Sequence, residues 1–494
     1  MFRNFPILFL LLAICGCTTV GPDYKAPDPV APDKWNSQME DGLRKDTLKV
    51  DDLALWWEKL NDQILNNLMQ KALEGNLDLA LAKERIQESR AKYGMTEAGL
   101  FPTLDASGSY TKRQTSENLS RVKKRYTDNM YKAGFDASWE LDIFGGTRRA
   151  VEAAKAEVQA QEAGLLNTLV SLSAEVANTY VSLRTYQARL AVAKSNIKTQ
   201  ENSYELTKSR YDVGLTDELA VQQATYNLAS TRSSLSTLYS GIESTKNKLA
   251  ILLGKSPGAV DEMVSTPKGI PETPLTVAVG IPAEALRQRP DIQKAERELA
   301  AQTARIGGAT ADLYPKFKLT GSIGLESFDA GDFFTPESNL WSFGPSISWR
   351  IFDAGAIKRN IDVQTALQKQ YLIKYQNTVL KALGEVENAL TNYAQEQIKR
   401  QELKRAVDAA EVAADLAMEK YLAGLITFTD VLDAQRYQLS FQDQLASSEG
   451  TVITNFISIY KTLGGGWQSY SISPVEEKEV QNVSAETTAS TDSK

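Results

Sequence analysis

Residues 146–213 read GTRRAVEAAKAEVQAQEAGLLNTLVSLSAEVANTYVSLRTYQARLAVAKSNIKTQENSYELTKSRYDV, and this stretch decides the fold. It has no proline and, beyond its first residue, one glycine, Gly164. Large apolar residues recur at every seventh position of this stretch. A second apolar row lies three or four residues from that first row, as in a helix that packs along its length. The pattern predicts a coiled-coil-like helix roughly 100 Å long at about 1.5 Å per residue. The first row, at every seventh position, is Leu169, Val176, Leu183, Leu190, Ile197, Tyr204 and Tyr211, and the second is Leu165, Leu172, Tyr186 and Ala193.

A helix of that length needs an equally long partner, and the chain supplies one by repeating itself. A shift of 210 positions places residues 175–178 on 385–388 and residues 211–215 on 421–425. With a slip of three, Leu100-Phe101-Pro102 falls on Leu313-Tyr314-Pro315. The sequence therefore predicts a tandem duplication. The second copy keeps the seven-residue repeat, interrupted by Arg400, at Leu372, Val379, Val386, Tyr393, Val407, Ala414 and Tyr421.

The composition excludes several classes of site. The 494 residues carry a net charge of -7, which argues against a general nucleic-acid binder, because such proteins present a basic face. The chain has no histidine, so histidine-based metal sites and general bases are excluded. It contains no phosphate-binding loop, nucleophile elbow or metal-ligand spacing. We therefore expect no catalytic residue, no metal and no cofactor.

The N-terminus resembles the signal of a bacterial envelope lipoprotein. Arg3 precedes an apolar run of about ten residues, which is too short to span a bilayer but has the length of a signal-peptide core. The run ends in Ile14-Cys15-Gly16-Cys17, and because a small residue must precede the modified cysteine, Cys17 is the predicted lipid anchor. By this resemblance Cys17 carries two or three acyl chains, enough for a stable anchor. The alternative is a plain secretory signal cut nearby.

Four stretches alternate with a period of two, which predicts four strands in two hairpins. One face is apolar and the other carries charged and hydroxyl residues. A soluble sheet lying on the helices is one interpretation, and a membrane barrel with lipid outside and water inside is the other. Four strands cannot close a barrel, so identical subunits would have to pool theirs. The apolar positions are Leu104, Ala106, Gly108, Tyr110, Phe135, Ala137, Trp139, Leu141, Phe317, Leu319, Ile323, Leu325, Phe343, Ile347, Trp349 and Ile351.

The predicted organisation follows from these patterns. Each repeat consists of a helix, a hairpin, a long helix and a further helix, and in the first repeat the opening helix is predicted to be continuous from Gln63 to Glu97. The predicted divisions are a lipoprotein signal peptide (1–16), an anchor and proline-rich extended strap (17–62), the first repeat (63–254), a linker or equatorial segment (255–282), the second repeat (283–466) and a disordered tail (467–494). The elements within the repeats are the hairpins 103–142 and 316–352, the long helices 146–213 and 355–422, and the helices 216–253 and 427–463.

The chain resembles the TolC family of outer-membrane efflux channels, and within it the lipidated members that serve resistance-nodulation-division (RND) pumps. The resemblance covers essentially the whole mature chain and implies an α+β membrane protein. In this family a trimer of duplicated protomers forms a twelve-stranded outer-membrane β-barrel, continued by a twelve-helix periplasmic α-barrel with a small equatorial region. The motifs that carry it are Gly21-Pro22-Asp23-Tyr24, Phe101-Pro102, Tyr314-Pro315, residues 142–146 (DIFGG), 351–355 (IFDAG), 430–436 (DVLDAQR) and 463–467 (LGGGW).

The resemblance also implies functional residues at the far end of the long helices. Gly214-Leu215 and Gly424-Leu425 are expected to form tips that meet a periplasmic adaptor protein, although glycine at a helix end also suits an ordinary turn. Asp430 and Asp433, with Arg436, are expected to line a periplasmic gate as rings of carboxylates that attract cations. Alternatively, both acids have only a structural role, because negative charge near a helix N-terminus is favourable. The first copy has Ala220 and Gln223 at those positions, which favours the gate.

The primary functional hypothesis is a passive exit duct of a tripartite efflux pump in the outer membrane of a Gram-negative bacterium, lipid-anchored and extending into the periplasm. Its expected partners are two further copies of the chain, a periplasmic adaptor, an inner-membrane RND transporter and outer-membrane lipids, with no nucleic acid. One alternative is the duct of a type I protein secretion system. Another is a structural coiled-coil envelope lipoprotein without a pore.

Overall fold

The computed structural model describes residues 19–27, 32, 34–37, 43–44, 53–118, 125–272, 277–280 and 282–470. The chain divides into two compact units. The first comprises Met1–Trp35, Leu77–Thr168 and Pro282–Glu385, and the second comprises Asn36–Asn76, Leu169–Ile281 and Val386–Lys494. The predicted signal peptide, Cys17 and residues 471–494 of the predicted tail lie outside the described residues.

The strands of the described residues fall into two sheets. In the second unit, β1 (Leu43–Arg44) and β4 (Val277–Ala278) form a short parallel pair. In the first unit, four strands form an antiparallel sheet in the order β2-β3-β5-β6. These are β2 (Thr103–Gln114), β3 (Thr127–Leu141), β5 (Lys316–Ser327) and β6 (Asn339–Ser348).

The register of the four-stranded sheet places the apolar residues of all four strands on one face. Ala106 lies opposite Phe135, Phe135 opposite Ile323, and Ile323 opposite Trp341. The other face is charged and paired across strands, with Lys318 Nζ 3.6 Å from a Glu140 carboxylate oxygen. Because side chains alternate along a strand, this register separates an apolar surface from a polar one across the whole sheet.

The last strand of the second hairpin, β6, ends before residue 352, the predicted end of the hairpin. It ends at Ser348, opposite Lys316, and Trp349 and Ile351 lie beyond it. The reason is Pro315 just before β5, because proline has no N–H to continue the ladder. Trp349 instead donates its indole N–H to the carbonyl of Leu313 at 3.0 Å.

The first repeat contains the same contact at the foot of its hairpin. Trp139 donates its indole N–H to the carbonyl of Leu100 at 2.9 Å. In both repeats the accepting carbonyl lies two residues before the proline that starts the hairpin. These two indole bonds tie each hairpin to the end of the preceding helix.

The helices reproduce the duplication residue by residue. The two long ones have 67 residues each and begin 210 positions apart, and the two that follow them have 35 residues each and are also 210 apart. None of the helices in the described residues is both long and apolar enough to cross a membrane. The helices are α1 (Gln63–Gly75), α2 (Leu77–Ala98), α3 (Gly146–Asp212), α4 (Glu218–Leu252), α5 (Asp261–Val264), α6 (Pro282–Gln288), α7 (Pro290–Ala311), α8 (Ala356–Leu422) and α9 (Phe428–Thr462).

The seven-residue repeat of α3 lies inward over much of its length. Leu169, Val176 and Leu183 are completely buried, whereas Tyr211 at the end of the helix is exposed. In α8 the matching positions Val386 and Tyr393 are buried as well. The pattern therefore marks the packed face of each long helix, as expected for helices that associate lengthwise.

The predicted continuous helix over 63–97 is wrong, because Asn76 interrupts it. Asn76 has extended backbone angles, and its side-chain amide donates to the carbonyl of Leu252 at 2.9 Å. Gly75 and Gly254 pass closely here, and a Cβ built on Gly254 would lie 2.1 Å from the Gly75 carbonyl oxygen. The second repeat is interrupted at the equivalent place, where Arg289 separates α6 from α7.

The core of the second unit gathers around Trp56, which lies in a 3-10 helix over Trp56–Leu60 and stacks on Tyr460 at 5.8 Å. Residues 467–470 of the predicted disordered tail form a turn beside this core. Asp62 caps α1 and accepts the hydroxyl of Tyr180 at 2.6 Å, and burial together with this bond raises the pKa of Tyr180. These contacts fix the start of the first repeat against α3.

Candidate functional site at the helix tips

Two equivalent turns connect the long helices to the helices that follow. Gly214 and Gly424 have positive φ angles of 76° and 73°, a conformation that favours glycine. In each turn the next leucine donates its N–H back into the helix, Leu215 to Arg210 at 2.8 Å and Leu425 to Lys420 at 2.9 Å. The leucine side chains are 65% and 73% exposed. Both tips therefore present a rigid turn with an apolar residue toward the surroundings.

A small apolar cluster holds the two tips together within the second unit. Tyr421 lies 5.2 Å from Phe428, and Ala220, Ala224, Val431 and Leu432 complete the cluster. The guanidinium of Arg210 lies over the Tyr421 ring at 5.1 Å. The tips thus rest on a packed base rather than on free helix ends.

Asp430 is engaged in capping α9. Its carboxylate accepts the hydroxyl of Thr427 at 2.7 Å and the Thr427 backbone N–H at 2.9 Å, which completes a capping box. The hydroxyl bond, and next the backbone bond, lower the pKa of Asp430. The carboxylate therefore stays ionised over the neutral range, and its contribution to capping is lost only as pH falls below its ordinary value of about 3.9 and through the lowered one.

Asp433 forms an ion pair within its own helix. Arg436 Nη2 lies 2.6 Å from the Asp433 carboxylate, and the same guanidinium lies over the ring of Tyr437 at 5.9 Å. All three side chains are largely exposed. Asp430 has no cation within ion-pair distance among the described residues, so of the two acids it presents the less compensated charge.

The first repeat also caps this helix with an aspartate, so the acids of the second repeat are less distinctive of a gate. In the first repeat Asp217 is the N-cap of α4 and accepts the N–H of Ala220 at 3.0 Å. Each repeat therefore uses one aspartate to cap this helix, at the N-cap position in the first and three residues later in the second. Capping is a sufficient reason for Asp430, whereas Asp433 has no capping contact among the described residues.

Above the tips, a ladder of polar contacts joins α3 to α9 within the second unit. The buried side chain of Gln435 donates to Ser203 at 2.8 Å, and Asn196 donates to Gln442 at 2.7 Å. Arg189 then forms a bidentate pair with Asp443 at 2.7 and 2.9 Å. Sequence reasoning missed this ladder, because polar residues spaced along two distant helices give no signal of their pairing.

Two further side chains hold the N-terminal strap and were also missed. Arg149 contacts residues 20–23, and Glu387 accepts the backbone N–H groups of Asn36 and Ser37 at 2.6 and 2.9 Å. Neither Arg149 nor Glu387 belongs to a sequence motif that would have indicated this contact. In the described part of the chain, no group of three acidic or cysteine side chains is arranged to hold a metal ion.

Comparison with known proteins gives concordant matches. A family model described as outer membrane efflux protein matches residues 68–255 and 281–465. Nodulation protein T of Rhizobium leguminosarum bv. trifolii is 33% identical over 450 residues, which cover 90% of this chain and 93% of that protein. The antibiotic efflux pump outer membrane protein ArpC of Pseudomonas putida is 32% identical over 459 residues, or 92% and 93% of the two chains. A solved structure of the outer-membrane channel OprN matches with a TM-score of 0.85 at 35% identity and covers 91% of this chain and 100% of that one.

Proposed function

The chain belongs to the outer membrane efflux protein family, and from this premise we propose that it is the exit duct of a tripartite efflux pump. It is an outer-membrane protein of a Gram-negative bacterium. Small molecules delivered by an inner-membrane RND transporter and a periplasmic adaptor would pass through it without chemistry of its own. The observation that carries the proposal is one duplicated chain with a sheet that is apolar on one face and two helices of 67 residues.

The duct is proposed to be a homotrimer. The described sheet leaves β2 and β6 with a neighbour on one side only, and a bilayer tolerates no open edge. Three copies would pool twelve strands and close the sheet. A row of exposed apolar residues on α8 in the first unit, Val363, Ile373 and Leu380, has the spacing of a helix that packs on a neighbour. A second copy of the chain would cover it.

The membrane anchor is proposed to be lipidated Cys17. Mass measurement of the mature N-terminal peptide tests this, since a diacylglycerol and an N-acyl chain on residue 17 would give a discrete mass increase. An unmodified N-terminus at any other residue would refute it.

The gate is proposed to consist of Asp430 and Asp433, with Arg436 holding Asp433. In a trimer each acid would form a ring of three carboxylates. The double variant Asp430→Asn with Asp433→Asn keeps a side-chain oxygen at residue 430 to cap α9 but removes both charges. We expect this double variant to conduct more in planar bilayers and to lose block by polyvalent cations, whereas the capping control Asp217→Asn should keep the block. Unchanged block in the double variant would remove the assignment.

The tips are proposed to contact the adaptor. Leu215→Glu combined with Leu425→Glu should abolish adaptor binding in a pull-down and leave single-channel conductance intact. Tyr226→Glu, an exposed residue further along α4, is the control and should bind normally. Normal binding by the double tip variant would place the contact elsewhere.

The central test of the duct is conductance. Purified protein in planar bilayers should form discrete channels, and the oligomer on a gel should dissociate on heating. A single water-soluble subunit with no channel activity would refute the proposed function.

A further inference from the structure

The strap enters the first unit at a site centred on Arg149. Only 4% of this side chain is exposed. Its guanidinium donates to the carbonyls of Val20 at 3.1 Å and Gly21 at 3.4 Å, and to the Asp23 carboxylate at 2.7 Å. Its Nη1 donates to Glu152 at 2.8 Å. Because this buried guanidinium binds two backbone carbonyls and one side chain of the strap, it recognises the backbone conformation of the strap as well as its sequence.

Glycines shape the walls of this site. A Cβ built on Gly21 would lie 2.4 Å from the Cα of Gly307, and one built on Gly307 would lie 2.8 Å from the Cγ of Arg149. A Cβ on Gly145 would lie 2.6 Å from the Cγ2 of Thr19. The strap therefore lies directly against backbone: a side chain at Gly21 or Gly145 would push it out, and one at Gly307 would displace Arg149.

Tyr24 closes the site at its far end. Its hydroxyl donates to Glu296 at 2.8 Å, and the guanidinium of Arg297 lies over its ring at 5.6 Å. The ring packs beside three small buried residues, Ala156, Ala300 and Ala301. The Gly-Pro-Asp-Tyr segment is thus held at each of its non-proline residues.

The duplication shows that this site is built for the strap. At the position equivalent to Arg149, Arg359 is 84% exposed and its ion pair, at 3.1 Å, is with Asp362 of the same helix. A Cβ on Gly94 or Gly355, the equivalents of Gly307 and Gly145, would meet no described atom within 4 Å. The same residue types therefore occur twice, but within the described part of the chain only one set encloses a segment of chain.

The position of the site gives it a role. Val20 donates its N–H to the carbonyl of Phe144 at 3.2 Å, and Phe144 is three residues after Leu141, where β3 ends. Thr19 is two residues from Cys17, a reach of roughly 7 Å. A lipid on Cys17 would therefore start within that distance of Thr19, which lies beside the foot of the first hairpin.

We propose that Gly145, Arg149 and Gly307 form an intramolecular docking site for residues 19–24, and that this site fixes the lipid anchor at the junction of sheet and helices. The proposal rests on the anchor assigned to Cys17 above. A free tether would let the acyl chains enter the bilayer anywhere within reach of the strap, whereas a docked strap sets both their place around the protein and the depth of the sheet in the membrane.

The first experiment measures docking by proteolysis of the purified, lipidated protein. Trypsin cleavage after Lys25 releases the anchor peptide, which is followed by mass spectrometry. We expect Gly307→Ala and Arg149→Gln to accelerate release at least tenfold, and the equivalent changes Gly94→Ala and Arg359→Gln to leave it at the wild-type rate. Equal rates in all five proteins would overturn the proposal.

A milder variant guards against loss of folding. Asp23 is largely exposed, so Asp23→Ala removes one contact of Arg149 without disturbing the helices. It should accelerate release severalfold and keep the heat-labile oligomer. An unchanged rate in this variant would count against recognition by Arg149.

The second experiment measures the position of the anchor. The mature chain has no cysteine other than Cys17, so introduced cysteines label specifically. Spin labels at Thr18→Cys and Lys155→Cys, in labelled subunits diluted with an excess of unlabelled ones, should give one narrow distance distribution, which Gly307→Ala should broaden. A broad distribution in the otherwise wild-type chain would refute fixed anchoring. Channel conductance recorded on the same samples reports separately on the proposed duct, so the two proposals can fail independently.

Discussion

The contact between Gln435 and Ser203 offers a direct test of how α9 is held against α3. Both side chains are buried and their polar atoms are 2.8 Å apart. In Gln435→Ala the bond is lost and a small space is left. Ser203 still donates to the carbonyl of Thr199 at 3.0 Å, so no buried hydroxyl is orphaned. The loss in folding free energy is therefore at the lower end of the range for removing a buried hydrogen bond, about 1–2 kcal/mol per subunit.

That free energy sets the size of the expected effect. A loss of about 1–2 kcal/mol raises the population of a locally opened state by roughly 5- to 30-fold. Amide hydrogen exchange over the first turns of α9 should accelerate by this factor in protein reconstituted into lipid. If the ladder also helps to keep the tips together, single-channel conductance should rise in the same variant.

The duplication provides the control for this experiment. Thr225, which occupies the equivalent position in the first repeat, is exposed and donates within its own helix. Thr225→Ala should leave both exchange and conductance unchanged. Exchange of α9 in Gln435→Ala within twofold of wild type would refute the reasoning that this bond holds the two helices together.

Three further predictions follow from backbone space, burial and the faces of the sheet. Gly254→Ala should lower the midpoint of heat-induced dissociation by several degrees more than Gly258→Ala, because both have positive φ but only Gly254 faces an obstructing carbonyl. Burial raises the pKa of Glu449 in the folded protein, so the charged form of this side chain lowers the stability at neutral pH. That stability is regained as the pH falls through the raised pKa towards the pKa of about 4.3 in the unfolded chain. Glu449→Gln should remove this part of the pH dependence when thermal midpoints are compared between pH 7 and 4. Ile323→Lys should impair assembly in the membrane at a cost of about 2–4 kcal/mol, whereas Ser322→Lys on the opposite face should assemble normally on a gel.

The long helices and the strands could be predicted because their patterns are long and periodic. Leu169, Val176 and Leu183 repeat every seven residues and lie buried, and the alternation around Phe135 and Ile323 gives the faces of the sheet. Such patterns depend on the residues of one element alone. The duplication strengthened them, since each pattern occurs twice.

The interruptions and the site contacts could not be predicted in this way. The break at Asn76 depends on a carbonyl 176 residues away, and the contact with the strap depends on Arg149 meeting residues 126 to 129 positions before it. Asp430 illustrates another limit, because only the structure shows that it completes a capping box with Thr427, whereas Asp217 at the N-cap itself caps the equivalent helix of the first repeat. Contacts between distant segments follow from the packing of the whole unit.

The one-sided strap has a consequence for the symmetry of the proposed trimer. A duplicated chain repeated three times would give a ring with nearly sixfold character, in which helix ends like those at Arg149 and Arg359 alternate. Three of the six helix starts would carry a strap and three would be bare. A molecule that binds this end of the ring, away from the tips, would then meet two chemically different surfaces in turn, and a stoichiometry of three or six would record whether it distinguishes them.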